Sequence, residues 1–209
     1  MNKKIITSFF MLLSFYTYSQ EFYINMGKNY TTYHFKNAPN ISSTVSEDLG
    51  NSFEIGYLFE LEESRQKMSY EFGLSLNEYN AIVKAPEDAI KYNTQYLGLT
   101  GALNYAVLGG HDRDRFMVYL KGGLSANRFL SGKEEIDGKI YDLKNYDEFN
   151  KSFFMISLGL HANMIISDDL SFNLGYNRYE TLFNTGNTPG QSLSFSVEQI
   201  KMGLTFRID

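Results

Sequence analysis

Four charged side chains, Glu54, Glu71, Lys121 and Lys201, interrupt stretches in which apolar residues alternate with small polar ones. An ion in such a stretch leaves bulk water when the chain folds, and an unpaired one then costs several kcal/mol. Two acids and two bases can satisfy one another, and His161 adds a ring that can donate at one nitrogen and accept at the other. The chemistry on offer is ion pairing and hydrogen bonding in an enclosed polar space. A fixed plug of salt bridges is the first reading of this network, and a gate whose pairs exchange partners is the second. Glu60, Lys67 and Arg207 stand near the ends of such stretches and suit the mouth of the same space.

Catalytic and metal chemistry find little to work with. The three histidines, His34, His111 and His161, are dispersed, and none has a serine and a carboxylate at a recognisable spacing. No Gly-x-Ser-x-Gly elbow occurs. The chain contains no cysteine, which removes disulfides and an acylated N-terminal cysteine and leaves scattered histidines as a poor metal site. No catalytic, metal or cofactor-binding residue is assigned, no cofactor is expected, and the chain is read as a non-enzyme.

These side chains need elements to hold them, and the first segment is not one of those elements. Lys3 and Lys4 precede an apolar run from Ile5 to Tyr16, shorter than the roughly 20 residues of a membrane-spanning helix. Thr17-Tyr18-Ser19 then places small residues at the −3 and −1 positions of a cleavage site before Gln20. That is the layout of a secretory signal peptide, so 1–19 is read as the signal and 20–209 as one exported domain. Removing Lys3 and Lys4 leaves 17 Lys+Arg against 24 Asp+Glu, a net charge of −7. An acidic balance offers no general attraction to nucleic acid. Aromatic residues make up 16% of the chain and there are only three prolines, a composition that favours strands.

Period-2 alternation recurs in eight segments. In the third, Met68, Tyr70, Phe72, Leu74 and Leu76 oppose Lys67, Ser69, Glu71, Gly73, Ser75 and Asn77. In the last, Ile200, Met202, Leu204, Phe206 and Ile208 oppose Gln199, Lys201, Gly203, Thr205 and Arg207. Each segment carries a glycine in its polar register: Gly27, Gly56, Gly73, Gly98, Gly123, Gly159, Gly175 and Gly203. A narrow closed barrel has a use for small inward positions, because its inward side chains crowd one another. Ionised groups in the polar register would sit badly in an apolar calyx, so the apolar register is assigned to lipid, where a closed barrel satisfies every backbone group.

Joins near 62–66, 108–114 and 167–169 are short, whereas those spanning 28–51, 78–93, 128–151 and 178–198 are long and polar. Alternation of short turns with long loops orients such a barrel. The predicted fold is all-β: an eight-stranded antiparallel up-and-down transmembrane barrel with short periplasmic turns, long extracellular loops and both termini in the periplasm. Within the loops, Asp137-Gly138 predicts a two-residue hairpin. The segment Ala85 to Ile90 predicts a short helical turn with Pro86 near its start. Tyr30, Tyr79, Tyr92, Phe129 and Tyr179 are expected to be interfacial anchors.

The signal ending Thr17-Tyr18-Ser19-Gln20, the segment from Tyr96 to Tyr105 and the closing strand from Gly203 to Ile208 resemble small OmpX/OmpA-type barrels. More closely they resemble the Bacteroidota outer-membrane β-barrel domain often called "porin family" or PorT-like. The resemblance covers the whole exported chain and implies a cell outer-membrane location. The expected role is structural or interactive: display of loops, or service as an accessory subunit of an outer-membrane assembly. A narrow pore for ions or small solutes is the alternative, and a lipid-modifying membrane enzyme a distant third. The expected partners are outer-membrane lipid and a protein bound by loops 28–51 and 128–151 or by the barrel wall, with no nucleic acid.

Overall fold

The computed structural model describes residues 20–37, 41–61, 68–84, 89–109, 115–146, 148–182 and 192–208. The strands are β1 (Gln20–Asn37), β2 (Ile41–Glu60), β3 (Met68–Lys84), β4 (Ala89–Leu108), β5 (Phe116–Ile136), β6 (Lys139–Asp142), β7 (Ser152–Ser167), β8 (Leu170–Thr181) and β9 (Ser192–Ile208). The order β4-β3-β2-β1-β9-β8-β7-β5 is closed by pairing of β4 with β5, and every pairing is antiparallel. Eight strands therefore form a closed barrel, and β6 adds to one end of β5 only. No helix among the described residues is long and apolar enough to cross a membrane.

The alternation read from the sequence sets the two faces. Leu74, Leu99 and Leu158 are each more than half exposed, whereas Ser75 and Ser157 beside them are buried. The inward glycines stand against bulky neighbours. Lys201 pairs with Gly27 on β1 and Gly175 on β8, so its side chain is flanked by two positions without a Cβ. A Cβ on Gly175 would meet the His161 ring at 2.7 Å, and one on Gly56 would meet the Tyr23 hydroxyl at 2.6 Å. The glycines make room inside; they do not mark bends.

The strands are longer than expected, which corrects the reading of 28–51, 78–93, 128–151 and 178–198 as loops. Residues 28–37 and 41–51 continue β1 and β2, and 78–84 and 89–93 continue β3 and β4. β5 runs to Ile136 and turns through Asp137 (φ 50°) and Gly138 (φ 72°) into β6, the left-handed pair of a tight hairpin. Ala89 and Ile90 are strand residues, not helical, while 85–88 lie outside the described residues. Parts of the short joins, 62–67 and 110–114, also lie outside them, while Asp168-Asp169 turns directly from β7 to β8.

The extensions obey the opposite polarity rule. A chain of outward hydrogen bonds crosses four strands: Lys28 Nζ donates to Asn51 Oδ1 (2.6 Å), Asn51 Nδ2 to Glu78 Oε2 (2.7 Å) and Gln95 Nε2 to Glu78 Oε1 (3.3 Å). Below this girdle the outer face is apolar; above it the inner face is apolar and the outer face largely polar, with Tyr30 and Leu49 as exceptions next to the girdle. Tyr33, Tyr79, Tyr96, Phe129, Phe153 and Phe195 point inward there and form one buried cluster, capped by Leu143 from a 3-10 turn (Leu143–Asn145). Four of the five aromatics expected at the interface, Tyr79, Tyr92, Phe129 and Tyr179, belong to or pack on this cluster, and Tyr30 alone faces outward. They occupy the inward register, so they cannot reach the lipid boundary. Water surrounds this part of the wall, so the apolar residues must turn inward to leave it.

Below the girdle the outward band from Met68 to Leu76 matches the roughly 9–11 residues of a tilted spanning strand. Leu74→Arg and Leu158→Arg should each destabilise the barrel by about 2–4 kcal/mol in urea titrations from lipid vesicles, since each puts a cation at mid-bilayer depth. Cysteines at 68, 70, 72, 74 and 76 should react with a lipid-phase label and those at 69, 71, 73 and 75 should not. The inverse pattern would overturn the assignment of faces.

Candidate functional site: the lumen

The lumen is organised in tiers, and the charged tier lies at its middle. Lys201 Nζ donates to Glu54 Oε2 at 2.8 Å, and Lys121 forms an ion pair with Glu71; all four side chains are buried. Glu54 lies on β2 and Lys201 on β9, with β1 between them. That intervening strand contributes Tyr23, whose hydroxyl donates to Glu54 Oε1 at 2.9 Å, and Thr100 Oγ1 on β4 donates to the same oxygen at 3.1 Å. The Glu54 carboxylate thus receives Lys201 and Tyr23 as donors and shares the Thr100 proton with the Gly73 carbonyl, 3.2 Å from Thr100 Oγ1. A buried ion pair is stabilising only when such additional bonds satisfy its remaining lone pairs.

His161 is a near neighbour of the ion pairs, with Gly175 between it and Lys201. Its Nε2 lies 3.0 Å from Asn177 Oδ1 on β8, which ties the ring to the wall beside Gly175. Of the expected mouth charges, Arg207 lies 3.5 Å from Glu21, Glu60 lines the same opening, and Lys67 falls outside the described residues. Glu21 does not stand out in the sequence, because it lies at the start of the first strand, where alternation has hardly begun.

Two further tiers separate the charges from the far end. Gln199 Nε2 donates to Asn29 Oδ1 (2.9 Å), Asn29 Nδ2 to Asn77 Oδ1 (3.3 Å) and Asn77 Nδ2 to Ser75 Oγ (3.0 Å), a layer of linked carboxamides. Above it the aromatic cluster packs edge to face: Tyr33 on Phe195 with ring centroids 4.9 Å apart and Tyr96 on Phe153 at 5.1 Å. The Tyr33 hydroxyl donates to the Tyr79 carbonyl at 2.6 Å, so its polar end is satisfied within the cluster. In the other direction, toward the short turns, the lumen widens into a cup of about 580 Å³.

On the outside of the extension the structure unites residues that sequence spacing kept apart. His34 Nε2 lies 3.1 Å from Ser196 Oγ, whose hydroxyl donates to Glu180 Oε2 at 2.5 Å. The order differs from that of a serine triad: here the serine stands between the imidazole and the carboxylate, whereas a triad places the imidazole between the serine and the carboxylate. His111 lies outside the described residues. Among the described residues no three His, Asp or Glu side chains could hold a metal ion.

Residues 5–206 match the family model described as "Outer membrane protein beta-barrel domain", and the chain belongs to that family. No curated protein sequence matches it. Among solved structures it is similar to a major outer membrane protein from Thermus thermophilus, with 12% identity, TM-score 0.53, and coverage of 91% of this chain and 100% of that one. It is also similar to the outer membrane protein OprG from Pseudomonas aeruginosa, with 14% identity, TM-score 0.50, and coverage of 91% and 96%. The outer membrane protease OmpT from Escherichia coli matches with 6% identity, TM-score 0.51, and coverage of 91% and 97%. At such identities these structures share the fold alone.

Glu71→Ala should cost about 3 kcal/mol or more in urea unfolding, because it leaves the Lys121 ammonium buried without its carboxylate. Adding Lys121→Met should recover much of that loss. A single variant as stable as the wild type would mean that the pair is hydrated and contributes nothing to closure.

Proposed function

We propose that this family member is a closed, non-catalytic outer-membrane barrel whose work is done by the rigid β-structured crown above its polar girdle. The single observation that carries this reading is the filling of the lumen, by ion pairs, then carboxamides, then a buried aromatic cluster. A filled lumen leaves solutes no path, so the outer wall and the crown remain as contact surfaces. The crown is held by backbone ladders and by its own core, which suits it to present a fixed surface. Ile140 and Tyr141 on β6 and Tyr146 after the 3-10 turn are exposed large side chains of the crown, and they are the contacts we assign to a partner protein.

In this reading the short turns and both ends of the barrel face the periplasm, residues 1–19 are the export signal, and the crown faces outward. Kinship with the Bacteroidota porin-family, PorT-like barrels would make the partner a component of an outer-membrane assembly. A narrow pore is the competing reading, because the cup already opens part of the lumen from one end.

Purified barrel in planar bilayers should show no steady conductance at any salt concentration, since buried pairs are poorly screened. Steady ion-selective currents that change on substitution of Lys121 or Lys201 would replace the closed barrel with the pore. Affinity purification from native outer membranes should recover a stoichiometric partner that Ile140→Asp with Tyr141→Asp releases, with heat-modifiable gel migration unchanged. Cutting away all of 132–148 would be a poor test, because it removes Leu143, which is fully buried in the crown's core.

A further inference from the structure

The outward apolar band is not even around the barrel. On β7 it takes in Phe154, Ile156, Leu158, Leu160, Met164 and Ile166, whereas on the neighbouring β8 it ends at Tyr176 and Arg178 follows. Register shows the size of the step: Arg178 stands beside Leu158 and Glu180 beside Ile156, with Phe154 still to come on β7. At about 3.3 Å per residue, the four residues from Leu158 to Phe154 make roughly 13 Å of strand. Exposed Leu182 follows Glu180, so the two ions are bracketed by apolar side chains along their own strand as well. A tilt of the whole barrel shifts the lipid boundary gradually from strand to strand and cannot absorb a step between neighbours.

The ions at this step are open to the outside. The side chains of Arg178, Glu180 and Glu198 are 58%, 44% and 48% exposed. Arg178 Nε and Nη2 donate to Glu180 Oε1 at 3.0 and 2.9 Å, but its Nη1 stands 3.9 Å from Glu198 Oε1, too far for a hydrogen bond. Glu198 lies on β9 in register with Arg178. An acid and a base therefore stand side by side on the outer wall at the depth of Leu158, and ions facing lipid are costly unless something pairs with them.

Charge selects the occupant. Lys28 on β1 and Arg178 on β8 stand against Glu180 and Glu198, so the patch is neutral and has no net pull on an anionic headgroup or a free cation. What it offers is an adjacent acid and base, and such a pair is complementary to its own copy turned about a two-fold axis. An axis along the membrane normal beside the Arg178–Glu198 row sets Arg178 of each copy against Glu198 of the other. Tyr176 is in register with Ile200, so the same rotation lays these two apolar side chains on one another.

We infer that the β8–β9 wall is the interface through which two copies of this chain associate side by side in the membrane, with Arg178 and Glu198 exchanged across the two-fold axis. The second copy covers ions that a lone barrel leaves against lipid. The interface goes beyond the closed lumen and the crown and depends on neither.

The chain contains no cysteine, so Ile200→Cys gives a single reactive position beside the axis. In liposomes at low protein density, oxidised Ile200→Cys barrels should run as cross-linked dimers, and Leu99→Cys barrels, labelled on the far wall, should not. Adding Arg178→Glu or Glu198→Arg should each weaken the cross-link at least about tenfold, because like charges then meet across the axis. Mixing the two charge variants should restore it, since positions 178 and 198 then face each other with opposite signs in both pairs. Heat-modifiable gel migration shows whether a charge variant has folded; if one has not, the two single-cysteine barrels decide alone. Monomeric Ile200→Cys barrels, equal cross-linking through Leu99→Cys, or charge variants that dimerise unmixed or fail to recover on mixing would each overturn the interface. Cross-linking of Ile200→Cys to a different protein in native membranes would assign the wall to that protein instead.

Discussion

Closure of the backbone hydrogen-bond network is the constraint from which the rest of this structure follows. In lipid an unpaired N–H or C=O has no water to turn to, so a sheet that crosses must meet itself. Here β4 pairs with β5 along most of its length, and each of the eight barrel strands has a neighbour on both sides. With eight strands the circumference is small, and the interior is just wide enough for side chains to fill it. That narrowness forces glycine beside Lys201, beside His161 and beneath Tyr23. It also forces the acids and bases close enough to pair.

The same strands then leave lipid for water without breaking their ladders, and the polarity of their two faces exchanges. β9 shows this within a few residues. Ile200 and Met202 face out and Gln199 and Lys201 face in, whereas further on Glu198 and Ser196 face out and Val197 and Phe195 face in. The girdle of Lys28, Asn51, Glu78 and Gln95 lies where the exchange occurs. One barrel thus contains two kinds of interior, each the complement of the solvent outside it. The aromatic interior is the more apolar of the two.

This exchange also explains what the sequence reveals and conceals. Below the girdle the apolar positions keep one parity and carry a glycine on the other, so strands, faces and closure are all legible. Above it the alternation persists, as in Asn29, Thr31, Tyr33 and Phe35 against Lys28, Tyr30, Thr32 and His34, but the apolar side has changed parity. A search for the lipid-facing pattern stops there and leaves apparent loops. Register shifts at Thr31/Tyr33, Glu47/Ser52 and Gln95/Tyr96 blur it further. The lumenal charges were legible because ions in an alternating segment need partners. Their pairing was not: it depends on the stagger between β9, β1 and β2, which no single segment encodes. Tyr23 shows the gap, being visible in the inward register but recognisable as a ligand of Glu54 only once three strands stand side by side.

The ion pairs are better understood as markers of the inner face than as sources of stability. A buried pair roughly balances its own desolvation, and apolar side chains of equal volume would often serve as well for stability alone. Yet a strand apolar on both faces would not distinguish lipid from lumen, and a slip of one residue would exchange the two at little cost. Glu54, Glu71, Lys121 and Lys201 remove that degeneracy, because any of them facing lipid would be penalised by several kcal/mol near mid-bilayer. Above the girdle water performs the same selection: Tyr33, Phe153 and Phe195 cannot face it without exposing the crown's core. Charges inside lipid and aromatics inside water are thus one device for fixing register, applied on either side of the membrane boundary.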